Sequence, residues 1–197
     1  MNRWDERYGK DEYYYGDKPN EFLKQFIDSQ GFKGRMLLPA EGEGRNAVYA
    51  SISGWQVDAF DTSEKAKEKA IQLAKRFNTR INYNIDSIEY FQVRPEYYNA
   101  AVLIYTHMPR NIRSEFSLKL WESMHIGGKL IMEVFSLKQL DRNTFGPKDP
   151  DFLYTKDSLL KEFSCFRTEL ISEETINLDE GVGHKGEADV IRFIGRK

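Results

Sequence analysis

The chain has 197 residues, 40% of them hydrophobic, enough for one compact core and too few for a second large domain. Its 29 lysines and arginines against 31 acids give a formal net charge of -2 with no basic run, which argues against nucleic acid as a partner and leaves a small molecule as the default. The single cysteine, Cys165, excludes an internal disulfide and any multi-cysteine metal or iron-sulfur site.

The chain begins Met1-Asn2-Arg3-Trp4-Asp5 without an apolar signal core, and no apolar stretch is long enough for a membrane span, so a cytoplasmic protein with no membrane partner is expected. Residues 4–19 mix Trp4, Tyr8, Tyr13, Tyr14 and Tyr15 with charges before Gly16 and Pro19, too irregular for a strand. Two readings stand: rings packed over an open sheet edge, or a lid whose rings and carboxylates enclose a cationic ligand. Asn20 then caps a helix with Phe22, Leu23, Phe26 and Ile27 on one face, ending at Gly31.

From Met36 to Asn46 an apolar run gives way to two glycines and then to helical spacing, which predicts a strand, a tight turn and a helix start. Gly42 and Gly44 permit positive φ and a ligand lying against the backbone, with the N–H groups of the helix start pointing at it. Such a turn binds a nucleotide or its relative, and Gly42, Gly44 and Ala47 satisfy G-x-G-x-x-G/A. The helix continues from Ala47 to Ser53 and breaks at Gly54. A second strand follows, ending at Asp61, about 20 residues beyond the glycines, the offset of a carboxylate that holds a ribose hydroxyl pair. The competing role for Asp61 is a helix N-cap, a post that Ser63, with Glu64 in the first turn, fills equally well.

Residues 63–77 carry Ala66, Ala70, Ile71, Ala74 and Phe77 at helical spacing. Ile81 to Ile85 reads as a third strand ending at Asp86, Ile88 to Pro95 as a short helix and turn, and Ala100 to Tyr105 as a buried fourth strand. Pro109 opens a helix through Trp121 and Met124, Gly127-Gly128 ends the following turn, and Lys129 to Phe135 makes a fifth strand. Five β/α alternations predict a doubly wound, mostly parallel sheet with helices on both faces. Residues 137–151, with Asn143, Gly146, Pro147 and Pro150, read as a loop, and a helix spans about Ser158 to Phe163. Phe166 to Asn177 and Ala188 to Gly195, joined by the loop from Asp179 to Gly186, form a closing antiparallel hairpin and bring the strand count to seven.

These residues together resemble the class I S-adenosylmethionine-dependent methyltransferases, within them the branch of tellurite-resistance (TehB-type) and thiopurine methyltransferases. The carriers are Trp4-Asp5-Glu6-Arg7-Tyr8, Pro19-Asn20, the stretch from Leu38 to Ala47 with its Glu-Gly-Arg-Asn block, Gly54-Trp55 leading to Asp61-Thr62-Ser63, Gly127-Gly128-Lys129, and the hairpin. The resemblance covers nearly the whole chain and implies a Rossmann-like fold in a single domain over 1–197, with 1–30 as N-terminal lid and helix and 34–197 as core. It implies S-adenosyl-L-methionine as cofactor, with Gly42 and Gly44 facing its methionyl part, Asp61 its ribose, and Ile85 and Asp86 its adenine. Tyr105 to Met108 would lie beside the transferred methyl. The implied cofactor set is Glu41, Gly42, Glu43, Gly44, Arg45, Asn46, Asp61, Thr62, Ile85, Asp86 and Tyr105. Leu38 stands where most class I enzymes carry an acid and Ala40 replaces a usual glycine, while Pro39 suits this branch.

Methyl transfer from a sulfonium is an in-line displacement in which the protein aligns the acceptor and excludes water, and the expected chemistry uses no metal. A general base is optional, because a thiol ionises easily and selenium or tellurium oxyanions, which attack through a free lone pair, carry no such demand. His107 and His184, two of three histidines, are the candidate bases, and Arg110, Arg113, Lys185 and Arg192 the candidates for attracting an anionic acceptor. For His107 the competing role is a satisfied ring beside a helix start, for His184 an exposed loop histidine. Cys165 reads as a buried apolar residue. Tyr105-Thr106-His107-Met108 lacks the Asn/Asp-Pro-Pro-Tyr/Phe signature of nucleic-acid amino methylation. The expected activity is methylation of a small molecule, a thiol or a selenium or tellurium oxyanion, by a monomer or homodimer of the transferase class EC 2.1.1. A nicotinamide-dependent oxidoreductase and a non-catalytic cofactor-binding module are the alternatives.

Overall fold

The computed structural model describes residues 3–142 and 144–197; Met1, Asn2 and Asn143, the last read above as part of a loop, lie outside the described residues. The chain divides into two compact units, Met1–Phe91 with Glu180–Gly183, and Gln92–Asp179 with His184–Lys197.

The first unit runs α1 (Arg3–Tyr8), α2 (Glu21–Ser29), β1 (Arg35–Pro39), α3 (Arg45–Ile52), β2 (Gln56–Asp61), α4 (Glu64–Arg76) and β3 (Asn82–Ile85). Met36, Leu37 and Leu38 in β1 and Val57, Ala59 and Phe60 in β2 are all buried, the pattern of strands covered on both faces, interrupted in β2 by the buried Asp58. These strands pair in parallel, Leu37 opposite Asp58 and Ala59 opposite Tyr83. In α2 the Leu23 N–H donates to Asn20 Oδ1 at 3.1 Å, and Phe22, Leu23, Phe26 and Ile27 are the buried face, as the spacing predicts. The aromatic N-terminal stretch, read as irregular, contains the short helix α1, which packs against α4.

The second unit runs β4 (Tyr98–Ile104), α5 (Arg110–Ser123), β5 (Met124–Phe135), α6 (Gln139–Arg142), a 3-10 turn (Pro150–Phe152), α7 (Lys156–Glu162), β6 (Arg167–Glu180) and β7 (His184–Arg196). β4 and β5 are parallel; β5 and β7 are antiparallel, with Ile131 opposite Ile194. The seven strands form one sheet in the order β3-β2-β1-β4-β5-β7-β6. This is the expected doubly wound, Rossmann-like α/β architecture closed by an antiparallel hairpin.

Several boundaries differ from the sequence reading. No helix forms between Ile88 and Pro95, where only a turn is found. β5 begins at Met124 and runs through both glycines, because the Gly127 N–H donates to the Lys197 carbonyl and the Lys197 N–H to the Gly128 carbonyl, each at 2.9 Å. Pairing with the chain's last residues keeps a glycine pair inside a strand. The hairpin loop shrinks from 179–186 to the three residues between β6 and β7, with Gly181 taking φ 64° in the tight turn. The stretch 137–151 is partly ordered into α6 and the 3-10 turn. Arg142 ties α6 to β7 through Asp189 (Nε to Oδ2, 2.5 Å) and Glu187 (2.6 Å), and Gln139 Oε1 accepts the Asp189 N–H at 2.8 Å.

Arg113, a candidate for attracting an anionic acceptor, is fully buried and serves the fold instead. Its guanidinium donates to the carbonyls of Met108 and Leu153 at 3.1 Å and of Asp151 at 2.5 Å, reaches Glu162 at 3.3 Å, and lies 3.7 Å from the Tyr154 ring centroid. Removing the guanidinium strands three carbonyls and a nearly buried carboxylate, so Arg113→Met is expected to lower urea-unfolding stability by about 3–5 kcal/mol. A loss below about 1 kcal/mol would contradict the anchoring role.

Candidate functional site

The glycine turn of the first unit is built by backbone conformations that few residues adopt. Ala40 has φ 50°, Gly42 φ 65° and Gly44 φ 88°. Ala40 therefore takes a left-handed conformation at the position where the resembled family carries glycine. Gly44 is fixed by packing as well: a Cβ there would lie 2.5 Å from Ala70 Cβ, so the start of α3 can sit on α4 only without a side chain.

Three carboxylates, Asp61, Glu43 and Glu41, surround this turn. Asp61 Oδ2 accepts the Gly42 N–H and Oδ1 the Ser63 N–H, both at 3.0 Å, which fastens the end of β2 to the turn after β1. Burial raises the Asp61 carboxyl above its usual range, opposed by the Ser63, Gly42 and Thr62 N–H groups. The helix N-cap of α4 is Ser63, whose Oγ accepts the Ala66 N–H at 3.1 Å, so that alternative for Asp61 is set aside. Glu43 pairs with Lys69 at 2.7 Å and accepts the Tyr14 N–H at 2.7 Å. Glu41 Oε1 accepts the N–H groups of Asn46 (2.9 Å) and Ala47 (2.7 Å). The start of α3 was expected to aim these groups at a ligand; the chain's own carboxylate takes two of them.

Of the remaining expected cofactor residues, Arg45, Asn46, Thr62, Ile85 and Asp86 lie in the same unit and Tyr105 in the second. Arg45 pairs with Glu180 at 2.8 Å, and Asn46 Oδ1 accepts the Asn20 N–H at 2.9 Å. The Asp86 N–H donates to the Asp61 carbonyl at 3.1 Å, which continues β3 toward the glycine turn, and Ile85 is exposed. Two tyrosines that sequence reasoning did not assign complete the turn. Tyr83 donates its hydroxyl to the Gly42 carbonyl at 2.6 Å, and the Tyr8 hydroxyl would lie 3.0 Å from a Cβ at Gly42. Tyr8 belongs to the aromatic stretch, whose rings stack on one another (Trp4 and Tyr8, 5.7 Å) and already carry the chain's own cations: Arg7 over Trp4 and Tyr14, Lys69 over Tyr13. The stretch thus packs on α4 and the turn.

In the second unit, the expected acceptor-side residues gather at the carboxyl end of β4. Tyr105 has φ 50° and stacks on Phe135 at 4.6 Å between centroids; His184 meets the edge of Tyr105 at 4.6 Å, and His107 stacks on Phe135 at 5.6 Å. His184 is buried at 4% exposure, which replaces the exposed-loop reading. Tyr105 donates its hydroxyl to Glu133 Oε1 at 2.6 Å, and Arg192 donates to Glu133 Oε2 at 2.7 Å and to Glu174 at 2.9 Å. Arg192, offered above for an anionic acceptor, is thus committed to two carboxylates, and Glu133 went unnoticed because a lone acid inside an apolar strand carries no spacing signal. Arg110 is exposed at the start of α5 and its N–H donates to Asp151 Oδ2 at 3.2 Å; Lys185 is exposed. Cys165 is half-buried rather than buried, with Sγ 3.7 Å from the Ser117 carbonyl, and burial raises its thiol pKa. Among the described residues no group of three or more His, Cys, Asp or Glu side chains could hold a metal ion, and no helix is long and apolar enough to cross a membrane.

No protein-family model matches the sequence, and no curated protein does. Solved structures do match by fold. A structure from work on the conversion of a disulfide bond into a thioacetal group during echinomycin biosynthesis aligns with TM-score 0.78 at 14% identity, over 98% of this chain and 90% of that one. TehB from Haemophilus influenzae aligns with TM-score 0.71 at 17% identity, over 89% of this chain and 61% of that one. The N-methyltransferase NodS from Bradyrhizobium japonicum WM9, in complex with S-adenosyl-L-homocysteine, aligns with TM-score 0.71 at 12% identity, over 98% and 96%. At these identities the likeness establishes the fold.

Glu41 supplies a pH test of the turn. Desolvation pushes its carboxyl up to about 7 from 4.5, against the pull of the Ala47 and Asn46 N–H groups and Arg45. The native state therefore holds this proton more tightly than the unfolded chain between those values, so wild-type stability declines as pH rises through that window. Glu41→Gln is expected to remove that decline, read as the change in urea midpoint between about pH 5 and about pH 8. An unchanged slope in the variant would contradict the assignment.

Proposed function

We propose that the chain is a single S-adenosylmethionine-dependent methyltransferase domain over 1–197, acting on a small-molecule acceptor, a thiol or a selenium or tellurium oxyanion. The observation that carries this reading is the charge of the glycine turn. A dinucleotide's diphosphate needs free helix N–H groups and no anion nearby. Here Glu41 takes two N–H groups at the start of α3 and Asp61 adds a second carboxylate, while Glu43 is balanced by Lys69. That setting favours a ligand carrying positive charge, a sulfonium or an ammonium, and disfavours the nicotinamide alternative.

The residues present fit such a cofactor. Gly42 leaves the backbone bare beneath Tyr8, where a Cβ would crowd the hydroxyl. A carboxylate offers about four acceptor sites, and Asp61 uses three on the N–H groups of Gly42, Thr62 and Ser63, which leaves one for a ribose hydroxyl. Thr62, Ile85 and Asp86 would lie along the nucleoside. S-adenosylmethionine supplies a methyl group activated by positive sulfur. The chain's part is to hold the nucleoside at Asp61, keep the acceptor desolvated among the Tyr105, Phe135 and His184 rings, and orient it with His107, His184 or Arg110. The thiol and oxyanion classes follow from the TehB-type resemblance. The fold shared with TehB and with the S-adenosyl-L-homocysteine complex of NodS supports the cofactor assignment.

Calorimetric titration of wild type and Asp61→Asn with S-adenosyl-L-homocysteine and with NADH tests the reading. Wild type is expected to bind the adenosyl ligand and not NADH, and Asp61→Asn to weaken binding by about 1–3 kcal/mol. Binding of NADH alone would overturn the proposal, and cofactor binding without methyl turnover on any thiol, selenite or tellurite would leave the non-catalytic module.

A further inference from the structure

Tyr105, Glu133, Arg192 and Glu174 form one continuous hydrogen-bonded array from the residue after β4 across β5, β7 and β6. Glu133 sits on an inner strand at 1% exposure. Tyr105 keeps a positive φ while bonding Glu133 twice, its N–H to the carbonyl at 2.8 Å and its hydroxyl to Oε1 at 2.6 Å. A bulky residue held in so rare a conformation marks a position whose side-chain direction matters.

Resting on the methyltransferase reading, we propose that Tyr105 and Glu133 are a proton relay for a protic acceptor, an alkyl thiol. Tyr105 is the group that meets the acceptor, and Glu133, held by Arg192, is the positioning residue and the final proton site. The thiol sulfur's lone pair forms the bond to the methyl carbon as the carbon–sulfonium bond breaks, its electron pair going to the leaving sulfur. The thiol proton passes to the Tyr105 oxygen as the Tyr105 proton passes to Glu133 Oε1. Two carboxylates share one guanidinium in the array, so one added proton brings it to neutrality. The same negative balance disfavours an oxyanion acceptor and so selects within the acceptor classes named above. Among the described residues, ionisable groups facing Tyr105 include Glu133 from β5 and Arg192 and His184 from β7; Glu174 acts through Arg192, and His107 stacks on the Phe135 ring that also carries Tyr105.

The test uses 2-mercaptoethanol, protonated at neutral pH, and 4-nitrothiophenol, already ionised there, as acceptors with the same reacting atom. Tyr105→Phe and Glu133→Gln are each expected to lower the ratio of alkyl-thiol to aryl-thiol turnover by about 100-fold. The deficit should shrink as pH rises and the alkyl thiol ionises. Proton NMR of the ligand-free protein gives a readout apart from turnover: a slowly exchanging downfield hydroxyl resonance, absent in Tyr105→Phe and moved upfield in Glu133→Gln. Tyr105→Phe leaves the Glu133–Arg192 pair intact, so the test stands if Glu133→Gln does not fold. Equal losses on both thiols, no loss on either, or a wild type that binds S-adenosyl-L-homocysteine yet methylates neither thiol would each overturn the relay. Failure of the wild type to bind S-adenosyl-L-homocysteine at all would instead be the failure of the methyltransferase reading.

Discussion

The bond from the Gly42 N–H to Asp61 Oδ2 is the constraint on which the first unit depends. It joins the turn after β1 to the end of β2, and the same carboxylate orders the chain into α4 by accepting the Ser63 N–H. Ser63 can then cap α4, and α4 in turn presents Ala70 to Gly44 and Lys69 to Glu43. One buried acid thus sets the position of two helix starts. The same residue sits where a doubly wound fold receives its nucleoside, so the anchor of the architecture and the proposed ligand group are one side chain.

Charge follows from the same geometry. Two glycines in sequence open a helix start that would attract any anion, and Glu41 occupies it from inside the chain. The nests that serve phosphates elsewhere are therefore closed here, and the turn presents carboxylates, a tyrosine hydroxyl and bare backbone. In the second unit Arg192 is likewise divided between Glu133 and Glu174. Of the four cations that the sequence offers to a substrate, Arg113 and Arg192 are committed to acids and carbonyls that the fold supplies, while Arg110 and Lys185 stay exposed.

Strand and helix order was legible because Met36–Leu38, Ala100–Leu103 and the Ala66/Ala70/Ala74 spacing are local patterns governed by one period each. The glycine turn and Asp61 were legible because their offset is fixed along the chain. What escaped depends on partners far apart in sequence: Tyr83 reaching the Gly42 carbonyl, Glu41 folding back onto α3, Glu133 beneath Tyr105, and Arg113 sunk among the carbonyls of Met108, Asp151 and Leu153. The glycine pair at 127–128 misled the boundary of β5 because its pairing partner is the last residue of the chain. Positive φ at Ala40 and Tyr105 carries no sequence mark, since neither is glycine or asparagine.

The most direct measurement is a crystal structure of the wild type grown with S-adenosyl-L-homocysteine. The account predicts a ribose hydroxyl on Asp61, the amino acid portion over Gly42 and Gly44, and Glu41 still bonded to the Asn46 and Ala47 N–H groups. A ligand that displaces Glu41 and places an anionic group on those N–H groups, or one bound away from Asp61, would contradict it.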